Sequence, residues 1–147
     1  MGARLSAVTR SSPFVHPISV RYLEVDQQRV VFNMWYLAYV DDAMTAFLLE
    51  GGLPYSQMMA RGCDVQLVHA QLDWKGSLTW DSRATVGVGL TSIGRTSFTL
   101  DFDFRSLDRT VATAHCVYVA IHTDGSGKRD VPTYLVEALG VVGPLRT

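Results

Sequence analysis

Residues 34–50, MWYLAYVDDAMTAFLLE, decide how this chain folds. Charge is confined to Asp41, Asp42 and Glu50, and apolar, tyrosyl or small residues fill the other positions, so apolar surface runs nearly all round the helix this spacing predicts. A helix of that kind is a buried one. It is too short and too acidic at its centre to cross a membrane, which takes about 20 predominantly apolar residues. From Asp64 to Thr123 the sequence reads as strand after strand, so the simplest cover for the helix is an antiparallel β-sheet wrapped around it. That places the chain in the α+β class.

Working outward, Asn33 stands where a side chain can cap the helix, after the short apolar link Val30-Val31-Phe32. The polar loop Glu24-Val25-Asp26-Gln27-Gln28-Arg29 precedes that link and falls where a helix N-terminus meets a sheet edge. Upstream, His16 to Glu24 alternates Ile18, Val20 and Tyr22 against Ser19, Arg21 and Leu23, a period of two that predicts a first strand with Pro17 at its start. Residues 1–13 lack periodicity and are expected to be a flexible leader. Their opening Met1-Gly2-Ala3-Arg4-Leu5-Ser6 fits the loose myristoylation pattern M-G-x-x-x-S, which six residues match readily by accident.

Downstream, Gly51-Gly52 supplies a left-handed residue to end the helix, and Pro54 prevents its continuation. Residues 55–61 extend one or two more helical turns. Asp64 to Lys75 is a long strand whose inward phase slips: Val65 and Leu67 share one parity, Val68, Ala70, Leu72 and Trp74 the other, which predicts a bulge near Leu67-Val68. After a turn at Gly76 to Asp81, strands follow at 83–90, 98–105 and 110–123, joined by hairpin chemistry at Ser92-Ile93-Gly94-Arg95 and a turn at Leu107-Asp108-Arg109. Pro132 opens a closing helix through Leu139, which Gly140 ends. The predicted order is a strand, a buried helix, a four-strand antiparallel meander and a terminal helix, with no repeat or linker dividing residues 1–147 into more than one domain.

The totals exclude several classes. A formal charge of -1 gives no basic field for a phosphate polymer, so nucleic acid is not expected as a partner. Cys63 and Cys116 form neither a disulfide framework nor a metal-ligand spacing, and no stretch has the apolar core of a secretion signal, so the expected compartment is the reducing cytoplasm. His69 and His115 lie on strands without ligand spacing; His16 and His122 carry no signal, and no metal is expected.

The run Val20-Arg21-Tyr22-Leu23-Glu24-Val25-Asp26, followed by Val30-Val31-Phe32 and Tyr36-Leu37, resembles the motif of the hotdog-fold acyl-CoA thioesterases of the 4-hydroxybenzoyl-CoA thioesterase family. Trp74, Asp81 and Gly94-Arg95-Thr96-Ser97-Phe98 extend the likeness over roughly residues 16–140. The resemblance implies a hotdog fold, hydrolysis of an acyl-CoA thioester to free acid and coenzyme A, and no cofactor beyond the coenzyme A of the substrate. Carried over by position, Asp26 falls on the family's catalytic carboxylate. Asn33 falls where the helix begins and a backbone N–H polarises the thioester carbonyl, a role that the resemblance assigns to the N–H of Met34. Two departures stand out: Arg29 where the family usually has Gly, and Trp35 where a small Asn is common, which make the mouth of the site bulkier and more positive.

A thioester needs a nucleophile delivered to its carbonyl and a donor for the oxyanion that develops. An aspartate, ionised at neutral pH, meets the first need as a general base or by direct attack. The unpaired N–H groups and positive dipole end of the helix meet the second. Asp42, with Asp41, is the alternative acid, because a second hotdog lineage carries its carboxylate on this helix; otherwise the pair faces an interface or water, or meets Arg21 or Arg61. Arg29, Trp35 and Tyr36 are expected at the mouth, and Arg95, Lys128 and Arg129 lie at turns that could gather to hold coenzyme A phosphates. Long exposed edge strands predict association into a homodimer or homotetramer. Two other functions fit the same fold: a thioesterase acting on carrier-protein-bound acyl chains, and a non-catalytic acyl-CoA-binding protein. A dehydratase fits less well, since the loop has no His to act as its base.

Overall fold

The structure is a computed structural model that describes residues 14–145; the expected leader lies outside the described residues. Strand β1 (Phe14–Ser19) is followed by a single 3-10 turn at Tyr22–Glu24, then helices α1 (Trp35–Glu50) and α2 (Tyr55–Ala60). Strands β2 (Cys63–Trp74), β3 (Arg83–Ile93), β4 (Ser97–Ser106) and β5 (Arg109–His122) come next, and helix α3 (Thr133–Leu139) closes the chain. All pairings are antiparallel, in the order β1-β3-β4-β5-β2.

That order corrects the expected meander. Only β3, β4 and β5 are consecutive neighbours; β2 crosses to the far edge and pairs with β5. The connection from Trp74 to Arg83 therefore runs across the end of the sheet, held by the N–H groups of Lys75 and Gly76 on the Val111 carbonyl at 2.8 and 3.0 Å. The predicted bulge is present, with the register slipping between Leu67 and His69 and Val68 left 55% exposed.

The first strand is shorter than its alternation suggested. It stops at Ser19, and Tyr22, Leu23 and Glu24 coil into the 3-10 turn, with the Glu24 N–H on the Arg21 carbonyl at 2.9 Å. Period two there reflected residues straddling the end of a strand rather than one continuing.

Helix α1 buries one stripe, not its whole circumference. Tyr36, Tyr39, Val40, Ala43, Met44, Phe47 and Leu48 are buried at helical spacing, while Leu37, Ala38, Asp41, Asp42, Thr45 and Leu49 are exposed. The sheet thus covers one side of the helix. The apolar stripe meets the inner residues Ala84, Val86, Val88, Leu90, Phe98, Leu100, Phe102 and Phe104, with Leu135 and Leu139 of α3 closing the same core. Gly52, at φ 94°, supplies the left-handed turn after the helix. Cys63 and Cys116 are both buried, and burial pushes the Cys116 thiol up to about 12, so both behave as small apolar side chains. No helix among the described residues is long and apolar enough to cross a membrane.

Phe104 is fully buried with its ring 5.2 Å from that of Tyr36, at the end of the core nearest the helix start. Phe104→Ala is expected to lower unfolding stability by about 3–5 kcal/mol in urea melts, the usual cost of an aromatic cavity.

Candidate active site

The segment upstream of α1 folds back on itself. The Asp26 N–H donates to the Val30 carbonyl and the Arg29 N–H to the Asp26 carbonyl, each at 2.9 Å, while the Asp26 carboxylate accepts the Gln28 N–H at 2.8 Å. Residues 26–29 are thus a tight turn held partly by the Asp26 side chain. Val25 bridges to Val31, Val30 bridges to Thr79, and the Val31 N–H donates to the Leu78 carbonyl at 2.8 Å. The crossing connection from β2 to β3 thereby becomes the opposite wall.

Between these walls lies a cleft of about 630 Å³ lined by Asp26, Gln27, Gln28, Val30 to Asn33, Tyr36, Trp74, Gly76 and Ser77. Its aromatic side is a cluster: the Tyr36 ring is 5.9 Å from Trp74 and 5.2 Å from Phe104, each edge to face. Burial pushes the Tyr36 hydroxyl above the ordinary tyrosine range, so it stays protonated.

Helix α1 begins differently from expectation. Met34, already in helical geometry, is the cap residue, and Asn33 makes no side-chain capping bond. The first turn is tightened by i to i−3 bonds instead: Trp35, Tyr36 and Leu37 N–H donate to the carbonyls of Phe32, Asn33 and Met34 at 2.9, 3.2 and 3.2 Å. Among the described residues the N–H groups of Asn33 and Met34 donate to no protein group. Asn33 lines the cleft, and Met34 follows it with its side chain 69% exposed.

Asp26, Asn33 and Tyr36 therefore line one cleft with Met34 following Asn33 at the helix start, whereas Arg29 is exposed and, like Trp35, Asp42 and the three basic residues, is not part of the lining. Trp35 is half-buried against the core with the Arg21 guanidinium 5.7 Å from its ring, and it does not line the cleft. Asp42 lines a second cleft of about 540 Å³, with His16, Arg21, Glu24 and Tyr39. Neither Asp41 nor Asp42 meets the arginines considered for them, since Arg21 pairs with Glu24 at 2.7 Å and Arg61 lies 3.9 Å over the Tyr134 ring. Burial and the adjacent Asp42 charge push the Asp41 carboxyl up.

The three basic residues do gather, but far from Asp26 within one chain. Arg95 pairs with Asp130 at 2.6 Å, the Arg129 guanidinium donates to the Gly62 carbonyl at 3.2 Å, and Lys128 bridges to Ile121. Trp74, on the cleft wall, pairs with Ala112, so β5 separates cleft and basic rim by roughly nine residues, about 30 Å at strand rise.

The sequence placed Glu24 at the end of a strand, in a polar loop and within the motif run, without a role of its own, yet it is 3% exposed and its carboxylate is hydrogen-bonded. Its carboxylate accepts the Arg21 N–H at 2.8 Å, the Arg21 Nε–H at 2.7 Å and the Tyr39 hydroxyl at 2.7 Å. Burial alone would raise its pKa, but those bonds and the Arg21 charge outweigh it and hold the carboxyl below its ordinary range. The spacing of Arg21 and Glu24 was the available signal; Tyr39 fifteen residues on was not readable as their partner.

The fold agrees with what the chain is similar to. The family described as the Thioesterase-like superfamily matches residues 20–139, and the chain belongs to it. A protein of Aquifex aeolicus (strain VF5) named as an esterase is 32% identical over 108 residues, covering 71% of this chain and 84% of its own. A hypothetical protein from Aquifex aeolicus of solved structure superposes with TM-score 0.82 at 28% identity, covering 86% of this chain and 99% of its own. A gentisyl-coenzyme A thioesterase (TM-score 0.80, 22% identity, 86% and 100% coverage) shares the fold. So does a 1,4-dihydroxy-2-naphthoyl-CoA thioesterase from Synechocystis (TM-score 0.78, 20% identity, 87% and 96% coverage). The protein is a thioester hydrolase with the hotdog fold.

Arg29 holds φ 65°, a left-handed conformation that costs a side-chain-bearing residue about 1–2 kcal/mol and glycine little. That is the physical content of the expected Gly at this position. Arg29→Gly is predicted to raise stability by about 1 kcal/mol, read as a higher urea midpoint with an unchanged slope.

Proposed function

We propose that this chain hydrolyses an acyl-CoA thioester to the free acid and coenzyme A, with Asp26 as the reacting carboxylate. The observation that carries this is the shared cleft: Asp26 on one wall, Asn33 and the helix start on another, and an aromatic wall of Tyr36 and Trp74 between them. As a base, Asp26 takes a proton from water while the water oxygen adds to the carbonyl carbon. The oxyanion is met by the unpaired N–H groups of Asn33 and Met34 at the positive end of α1, and its collapse breaks the C–S bond and releases the thiolate, which is then protonated. As a nucleophile, Asp26 forms an anhydride that water cleaves, with the same donors in use. Removing a single oxyanion donor costs about 3–4 kcal/mol in such reactions.

The aromatic wall supports an apolar or aromatic acyl group, as do relatives named for gentisyl-CoA and 1,4-dihydroxy-2-naphthoyl-CoA. Coenzyme A phosphates would be held by Arg95, Lys128 and Arg129 only if a second subunit brings them across. Among the described residues strand β2 has one unpaired edge, along which most residues from Gln66 to Trp74 are exposed. Antiparallel pairing of that edge with a copy of itself sets the partner's start of β2, and the basic rim beside it, next to the cleft end. A homodimer thereby accounts for both the open edge and the long separation within one chain; a homotetramer would be built from such dimers.

The test is thiol release from a panel of fatty and aromatic acyl-CoAs by wild type and Asp26→Asn. Wild type is expected to turn over at least one, and Asp26→Asn to lose roughly 100- to 10,000-fold in kcat, the contribution of a positioned base. Equal rates would remove Asp26 from the reaction. Activity confined to acyl chains on a carrier protein would move the substrate away from coenzyme A, and binding without thiol release would make the site a receptor.

A further inference from the structure

Among the described residues two charged side chains are buried, Glu24 and Asp103. Asp103 is met within the sheet, by Arg105 of its own strand at 3.3 Å and Thr110 of the adjacent strand at 2.9 Å. Glu24 instead joins two elements that are not sheet neighbours: its donors are Arg21 at the head of the 3-10 turn and Tyr39 more than one turn inside α1. The side chains of Tyr22 and Leu23 are 73% and 60% exposed; Tyr22 meets the Trp80 ring edge to face at 5.6 Å and Val25 bridges to Val31, so the side-chain hydrogen bond that ties this turn to α1 is the one between Glu24 and Tyr39. The Glu24 main chain adds a second tie, its carbonyl accepting the Phe32 N–H at 2.9 Å, two residues before Met34. Glu24 thus grips α1 with its side chain and the segment entering α1 with its backbone, and Asp26 stands two residues further along the same short chain.

We infer that Glu24 is a positioning residue for this site: through Tyr39, Arg21 and Phe32 it fixes where the Asp26 carboxylate stands relative to the start of α1. The inference rests on Asp26 being the reacting carboxylate. Glu24 itself does not line that cleft, so it acts through placement and not by touching substrate. Arg21 contributes twice, bonding Glu24 and laying its guanidinium over Trp35, the first residue of α1.

The experiment compares wild type with Glu24→Ala, Glu24→Gln and Tyr39→Phe in the full chain, by steady-state thiol release and by hydrogen exchange of the amides in residues 24–34. Glu24→Ala is expected to lower kcat roughly 100-fold, as a displacement near 1 Å does, with KM within about threefold of wild type. Its 24–34 amides should exchange at least about tenfold faster while those of β3, β4 and β5 stay unchanged. Glu24→Gln, which still offers Tyr39 an acceptor, should recover most of kcat. If Glu24→Ala does not fold, Tyr39→Phe carries the test with the same signs. A variant that melts earlier but keeps wild-type kcat overturns the inference, as does a loss of kcat with unchanged exchange in 24–34. Should wild type release no thiol from any substrate, the hydrolase proposal falls, and the exchange measurement alone then decides whether Glu24 holds the segment.

Discussion

The seating of one stripe of α1 against the inner face of the sheet is the constraint on which the other features depend. Tyr36, Val40, Phe47 and Leu48 are each removed from water there, and burial of a large apolar side chain stabilises by about 1.5–3 kcal/mol. With the helix held along its length by Ile18 and Val86 to Leu90 on one side and by Leu135 and Leu139 at its end, its first turn has a fixed place. The N–H groups of Asn33 and Met34, without acceptors among the described residues, then stand at the end of a helix anchored in the core. Everything proposed about an oxyanion begins from that placement.

The opposing group arrives by a separate route. Asp26 sits in a turn that uses its own side chain to hold the Gln28 N–H, and that turn is joined to the crossing connection through Val30 and Val31. Two independent pieces of backbone, one entering the helix and one crossing the end of the sheet, therefore enclose the cleft, and the buried Glu24 carboxylate couples the first of them to α1. A carboxylate with three donors survives burial where an unpaired one would not. The second cleft holds Asp42 among His16, Arg21, Glu24 and Tyr39, and none of these residues lines the cleft of Asp26.

Much of this was legible in the residues alone, and the misses have physical causes. The phase slip at Leu67-Val68 was readable because a bulge shifts every inward side chain by one. That Asp26, Asn33 and Tyr36 share one cleft was readable because the motif around them is short and local. The rest was not local. Nothing in the residues themselves says that β2 crosses to pair with β5, so Gly76 and Ser77 could not be assigned to a cleft wall. The exposed face of α1 was misjudged because Leu37, Ala38 and Leu49 are apolar yet exposed, and an exposed apolar residue looks the same in sequence as one in the core. Asn33 has the right chemistry for a cap, but the i to i−3 bonds of the first turn had already taken the N–H groups it would serve.

The most direct measurement of the central claim is a crystal structure with a hydrolysis-resistant acyl-CoA analogue in which the sulfur is replaced by a methylene. Its carbonyl oxygen is expected within about 3 Å of the Met34 or Asn33 N–H, with the Asp26 carboxylate on the carbonyl face and the acyl group against Tyr36 and Trp74. An analogue bound with its carbonyl in the cleft of Asp42 and His16, or turned away from the start of α1, would contradict it.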